Sequence, residues 1–320
     1  MYSLKICRLF GIRLEVHFTF LLLLGYYAYI GNQYAGTTGA LIGMATIILV
    51  FASVVLHELG HSLTAMYYGI PVPRIVLLPI GGMAQIAAIP KEPRKEFIIT
   101  INGPLVNFAL AILFFGILVW RYQNVGFVID GIERAVKNPG WSFYNHLRSF
   151  QWESFVWILL SWNILMGLFN LLPIFPMDGG RIFRAILATR ISYPRATFVA
   201  ATLSKILAAA GIGYALLYSQ NYLLVILLVT IWIAGEEEYK SVKRLQHLSG
   251  QTVADIMQGF LPSQEAELRA TKHKLQADWP LDSFAYYIAA ESGREFAVYH
   301  EGELVGLVKS DVFSLVENNE

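Results

Sequence analysis

Residues Phe18 to Leu56 contain neither a charged side chain nor a histidine. As helix this stretch would be ~58 Å long, nearly twice the ~30 Å hydrocarbon core of a bilayer. It therefore reads as two membrane spans, broken at the polar, glycine-rich Gly31-Asn32-Gln33 and Gly36-Thr37-Thr38-Gly39. The rest of the chain agrees. Hydrophobic residues make up 56% and charged residues only 15%, against roughly 25% charged in an ordinary soluble domain; mean hydropathy is +0.51. Phe97 to Trp120 gives a third run and Phe155 to Met177 a fourth. Ile206 to Gly235, interrupted by Ser219-Gln220-Asn221, is read as two more, with Lys205 snorkelling near the end of the fifth. The expected fold is an α-helical polytopic membrane protein with about six transmembrane helices.

Basic residues orient these spans. One side collects Lys5, Arg8 and Arg13; Arg74, Lys91, Arg94 and Lys95; Arg181, Arg184, Arg190 and Arg195; and Lys240, Lys243 and Arg244. The other holds Arg121, Arg134, Lys137 and Arg148 in one long loop. The first side is expected to be cytoplasmic, with both termini, in a multi-pass protein of a prokaryotic cell membrane. The N-terminal basic residues precede a retained first span rather than a cleaved signal peptide. A net charge of +1 offers no basic surplus for nucleic acid, and the single cysteine, Cys7, excludes an internal disulfide framework.

At the end of the second expected span stands His57-Glu58-Leu59-Gly60-His61. Residues four apart on a helix share a face, so His57 and His61 can ligate one zinc ion, with Glu58 beside them as general base. A metal also compensates for placing ionisable groups at the end of an apolar helix. A catalytic zinc site commonly has three protein ligands. The better third candidate is Asp178, in Asn170-Leu171-Leu172-Pro173-Ile174-Phe175-Pro176-Met177-Asp178-Gly179-Gly180. It follows a span running in the same direction as the second, so both motifs reach the same half of the membrane. The prolines break the helix, which is tolerated at membrane depth where backbone lines a protein cavity. An ordinary helix stop capped by Asp-Gly is the other reading.

HExxH on one span with Asn-x-x-Pro-x-x-x-x-Asp-Gly on a later one resembles the site-2 protease family of intramembrane zinc metalloproteases, over about residues 10–240. The resemblance implies that His57, His61 and Asp178 hold one catalytic zinc, that Glu58 is the base, and that Asn170 positions the substrate backbone. The family's Gly-x-x-x-Asn pattern is met by Gly103 to Asn107, as substrate positioning or as plain helix packing. Pro71 to Ile86 is too proline-rich for a helix and reads as two short strands around Gly81-Gly82. The matching family segment is a membrane-associated β-hairpin that takes the substrate as an added strand; a purely structural hairpin is the alternative. The implied function is regulated intramembrane proteolysis, an endopeptidase acting in the lipid bilayer on a membrane-anchored protein such as a tethered transcription factor or anti-sigma factor.

From Ser249 the composition turns soluble. Phe296 to Val308 alternates around His300-Glu301-Gly302-Glu303, a β-hairpin signal. Residues 1–244 are thus read as the transmembrane protease domain and 249–320 as a small cytoplasmic α/β domain. The latter resembles one cystathionine-β-synthase (CBS) repeat, in Thr252 to Met257, Phe296 to Tyr299 and Gly306 to Asp311. Some site-2 proteases, the sporulation type among them, carry such a domain. Lys309 stands at the usual Thr/Ser position and the spacing to Asp311 is one residue short, so weak or absent adenine-nucleotide binding is expected. A lone repeat leaves a face to bury, so a homodimer through 249–320 is expected.

Two other classes compete. A prenyl-protein-processing zinc protease also uses HExxH but takes a downstream Glu as third ligand, for which no good helical candidate follows. A catalytically dead membrane chaperone would not need all of His57, Glu58, His61 and Asp178 intact.

Overall fold

The computed structural model describes residues 3–79, 81–85, 92–137, 151–244, 250–271, 273–290 and 294–310. The chain divides into two compact units, residues 1–85 with 97–183, and residues 86–96 with 184–320.

The first unit opens with a hairpin where the Lys5, Arg8 and Arg13 flank was expected. β1 (Ser3–Leu9) and β2 (Ile12–His17) form an antiparallel hairpin. Its turn residues Phe10 and Gly11 both have positive φ, 51° and 86°, as a tight two-residue hairpin requires. β2 pairs in parallel with β3 (Arg74–Leu78), and β3 pairs antiparallel with β4 (Gly81–Gln85), giving a four-stranded sheet in the order β1-β2-β3-β4. Ile12, Val16, Ile75, Val76 and Leu77 are buried in it. Glu15, also buried, accepts from Ser3 Oγ at 2.6 Å and faces Arg74 Nη1 at 3.5 Å. The two expected strands are present, as one half of a larger sheet, but Gly81 and Gly82 open β4, paired with Leu78 and Leu77, rather than lie between the strands; Ile86 lies outside the described residues.

Between β2 and β3 runs α1 (Thr19–Tyr67), which is broken at Ala35 (φ −149°) and Gly36 (φ 59°). A methyl built on Gly31 would lie 2.0 Å from Gly39 O, and the Phe20 and Phe51 rings meet edge-on at 4.7 Å. In a straight helix residues eight apart are ~12 Å apart along the axis. The chain therefore reverses at Ala35–Gly36, and α1 is an antiparallel pair, as the length of the uncharged run requires. α2 (Pro93–Tyr122) carries Pro104 inside it, α3 (Val125–Lys137) is amphipathic, and α4 (Trp152–Asn170) follows. Ala111, Leu118, Val128 and Leu160 form a core among α2, α3 and α4. α5 (Asp178–Ala188) starts after the irregular stretch 171–177.

In the second unit, α6 (Tyr193–Tyr214) continues through one wide turn to Ser219, reverses at Gln220 (φ 49°), and meets α7 (Tyr222–Arg244). The interruption at Ser219-Gln220-Asn221 is thus a true reversal. Lys205 sits in mid-α6, ion-paired with Glu236 of α7 at 2.7 Å. Arg184 is wholly buried, on Glu96 Oε1 at 2.5 Å, on Glu238 Oε1 at 2.6 Å and over the Tyr193 ring at 4.9 Å. Burial disfavours its charged form, but Glu96, Tyr193 and Glu238 more than reverse this and raise its pKa. Residues 250–310 hold a three-stranded sheet β5-β6-β7 (Lys274–Gln276, Glu295–His300, Glu303–Lys309) with helices α8 (Glu265–Ala270) and α9 (Leu281–Ala290). The hairpin turn falls at Glu301–Gly302, where it was expected. Asp311 lies outside the described residues.

Four described helices are long and apolar enough to cross a membrane: the reversed Thr19–Tyr67, Pro93–Tyr122, Trp152–Asn170 and Tyr193–Tyr218. The apolar part of α7, Tyr222 to Gly235, is ~21 Å of helix, short of the ~30 Å core.

Candidate metal centre

The second half of α1 brings His57 and His61 onto one face, and that face lies on α2 because α2 has no side chain there. A methyl on Gly103 would lie 2.2 Å from His61 Nε2 and 2.8 Å from His57 Cε1. Gly60 makes the matching approach from α1, where a methyl would lie 2.7 Å from Asn102 O. Two glycines thus let the helices touch backbone to backbone with both imidazoles seated in the contact. The Gly103 position, read as helix packing or substrate positioning, is required by the histidine rings themselves.

Asp178 is the first residue of α5. The two glycines after it are sterically enforced: a methyl on Gly179 would lie 2.1 Å from Leu172 O, and one on Gly180 2.7 Å from Phe175 N. The turn between α4 and α5 is held by Ile174 N–H on Leu172 O at 2.7 Å and Met177 N–H on Ile174 O at 2.9 Å, with Phe175 buried beneath. The result sets Asp178 Oδ2 3.2 Å from both His57 Nε2 and His61 Nε2, which are 3.1 Å from each other. One ligand atom from each of His57, His61 and Asp178 lies within 4.8 Å of the others.

The donor set fits a cation. His61 Nδ1 is 2.9 Å from the Ile99 carbonyl, which only accepts, so Nδ1 carries the proton and Nε2 the lone pair. His57 Nδ1 is 2.5 Å from Asn107 Oδ1 and is committed the same way. Two imidazole lone pairs and a buried carboxylate oxygen with no hydrogen-bond partner of its own converge on one point. Without a positive charge they repel. Nitrogen and carboxylate ligands in this number are those of a zinc site with an open position.

Glu58 stands beside the cluster, half-buried, and its Oε2 accepts from Ala84 N–H at 3.1 Å. β4 is an edge strand, so Ala84 donates outward from the sheet to Glu58. Gly82 is packed onto the same carboxylate chain: a methyl there would lie 2.6 Å from Glu58 Cγ. Gly81 has φ 143°, a conformation suited to glycine. Asn107 is wholly buried, bonded to His57 and, through Nδ2, to Asn163 Oδ1 at 2.9 Å. Asn170 is the half-buried last residue of α4 and makes no hydrogen bond to these described residues.

Sequence reasoning missed that the Ala84 amide meets Glu58, and it missed Asn163. A backbone amide carries no residue signature. Asn163 offered one, a carboxamide in the middle of the apolar residues of α4.

The family model for peptidase family M50 matches residues 45–214, a span that contains every side chain named in this cluster. A zinc metalloprotease of Methanocaldococcus jannaschii is 31% identical over 307 residues, covering 96% of this chain and 78% of its own. A putative zinc metalloprotease of Synechocystis sp. is 31% identical over 191 residues, 58% of this chain and 44% of its own. Among solved structures, a site-2 protease from Methanocaldococcus jannaschii is 33% identical and covers 74% of this chain and 95% of that chain, with a TM-score of 0.49.

Proposed function

Because the chain belongs to peptidase family M50, the site-2 proteases, and is a zinc metalloprotease, we propose that it is an endopeptidase that cuts membrane-anchored proteins within the bilayer. The observation that carries this reading is the juxtaposition of a buried His57–His61–Asp178 cluster, Glu58 and a sheet edge in a unit built of apolar helices.

His57, His61 and Asp178 would hold zinc, which supplies Lewis-acid polarisation of a carbonyl and of water. Glu58 takes the proton from the attacking water and delivers it to the leaving amine, the two roles of one carboxylate placed beside the ligands. A transmembrane helix hides its scissile carbonyls in its own hydrogen bonds, so the substrate must be unwound. Addition as a strand to the β4 edge holds it extended. Gly81 and Gly82 leave the edge open to the close approach of that strand, and Asn170, at the end of α4, contacts its backbone. A tethered transcription factor or anti-sigma factor is the kind of substrate this reaction suits.

Residues 1–244 act as the membrane protease domain and 249–320 as a cytoplasmic, CBS-like association module, with both termini cytoplasmic, as the Lys/Arg distribution favours. The test is co-expression with a single-span, membrane-tethered substrate. Wild type releases the soluble fragment, and Glu58→Gln, which keeps the three ligands, lowers release at least ~10²-fold while retaining zinc. Near-normal release by Glu58→Gln would remove Glu58 from the chemistry.

A further inference from the structure

We propose that Asn163 is a positioning residue: acting through Asn107, it fixes which ring nitrogen of His57 carries the proton, so that Nε2 keeps its lone pair toward the metal. The proposal rests on His57 being a zinc ligand.

Asn163 is wholly buried in α4. An amide in an apolar span is unfavourable unless its polar atoms are bonded, and here both ends are. Its Nδ2 donates to the Leu159 carbonyl at 2.8 Å and to Ser53 Oγ at 3.1 Å, and its Oδ1 accepts from Asn107 Nδ2 at 2.9 Å. The Leu159 carbonyl can only accept. It therefore fixes the nitrogen of Asn163 at that end and the oxygen at the other.

The rest follows in order. Facing an oxygen, Asn107 must present its nitrogen, which leaves its own oxygen for His57 Nδ1 at 2.5 Å. Facing an oxygen in turn, Nδ1 must carry the proton. His57 Nε2 then keeps its lone pair toward His61 and Asp178, which lie 3.1 and 3.2 Å away. His61 reaches the same tautomer directly, from the Ile99 carbonyl. For His57 the nearest group is an amide that could be turned either way, and the backbone carbonyl that decides it is two side chains removed.

Without an acceptor at position 163, the Asn107 nitrogen is left, among the described residues, with Met166 Sδ at 3.5 Å, a weak acceptor. A turned Asn107 would offer N–H to Nδ1 and move the imidazole proton to Nε2, against the metal. The competing role is a polar tie between α1, α2 and α4. A tie of that kind would change the stability of the fold and leave zinc affinity as it is.

The experiment uses the full-length chain in detergent. Zinc affinity is measured by chelator competition, alongside thermal unfolding of the metal-free protein. Asn163→Leu is expected to weaken zinc binding by about 10- to 100-fold, the usual effect of losing an outer partner of a ligating histidine. Asn107→Leu does the same, and the double variant is no weaker than Asn107→Leu alone, because the two act in series. Asn163→Ala carries the same expectation should the leucine variant fail to fold. Wild-type affinity in Asn163→Leu or Asn163→Ala, or full additivity with Asn107→Leu, overturns the proposal. His57→Ala separates this from the ligand assignment: if it binds zinc as wild type does, the assignment itself fails, whereas loss in His57→Ala without loss at position 163 rejects the relay alone.

Discussion

The backbone amide of Ala84 donates to Glu58 Oε2 at 3.1 Å, so the sheet edge proposed to take a substrate strand touches the proposed catalytic base. One amide thus has two acceptors available, the base in the resting protein and a substrate carbonyl on docking.

Ala84→Pro deletes that amide. The change leaves the sheet ladder intact, since the amide points away from β3 and proline is tolerated on edge strands. The bond this amide would give a neutral substrate carbonyl is worth about 0.5–1.5 kcal/mol, so cleavage should slow about 2- to 10-fold while zinc content holds. Unimpaired cleavage of the tethered substrate would reduce the β3–β4 hairpin to scaffold.

Asp178→Ala should lose both activity and tightly held zinc. Two histidines alone make a weak site, and loss of a direct ligand should exceed the ~100-fold reached by outer partners. Metal analysis of the purified variant checks this. One zinc per chain at unchanged affinity would mean that another group is the third ligand.

Gly103→Ala should disturb the site from the back. The added methyl would lie 2.2 Å from His61 Nε2, and the His61 ring is held by Ile99 O. Forcing a methyl into a packed contact costs about 1–3 kcal/mol. Weaker zinc binding together with a lower thermal midpoint is expected. A variant with wild-type zinc affinity would show that α2 can retreat without moving the ligands.

Arg184→Met should destabilise the second unit more than any exposed substitution, because Glu96 is left charged and buried. Breaking such a pair costs about 3–5 kcal/mol. Adding Glu96→Gln removes the stranded charge and should restore much of the thermal midpoint. Equal midpoints for single and double variants would mean that Glu96 is not what Arg184 neutralises.

The 249–320 segment should make the full chain a homodimer, and truncation after Arg244 should lower the protein mass by more than half by light scattering, to that of a monomer, while zinc is retained. A monomeric full-length chain, or tight AMP binding by it, would contradict the reading of that segment as a lone self-pairing repeat.

Much of this was legible in residue order alone. The uncharged run from Phe18 to Leu56 is too long for one crossing, and the structure reverses it at Ala35–Gly36, inside the glycine-rich break. The i, i+4 spacing of His57 and His61 fixes their shared face because helical geometry is local. The two prolines before Asp178 mark the break of the preceding span; that a new helix starts at Asp178, with Gly179 and Gly180 against the backbone of residues 172 and 175, is decided by packing. The β1–β2 hairpin is equally present in the alternation of Leu4 to Val16 around Phe10-Gly11, but three basic residues before an apolar run suit a topogenic flank just as well.

What the sequence could not supply are relations between segments far apart in the chain. That β2 pairs with β3 across the whole of α1, that Lys205 meets Glu236, and that Arg184 is enclosed by Glu96, Tyr193 and Glu238 are decided by which surfaces remain to be buried once the helices form. The orientation of His57 belongs to the same class. Its neighbours in sequence do not set it; a carbonyl on α4 does, through two amides contributed by different helices. Residue identity provides the groups, and periodicity their local faces. Only packing decides which donor meets which acceptor, because a hydrogen bond depends on position and angle to within a fraction of an ångström.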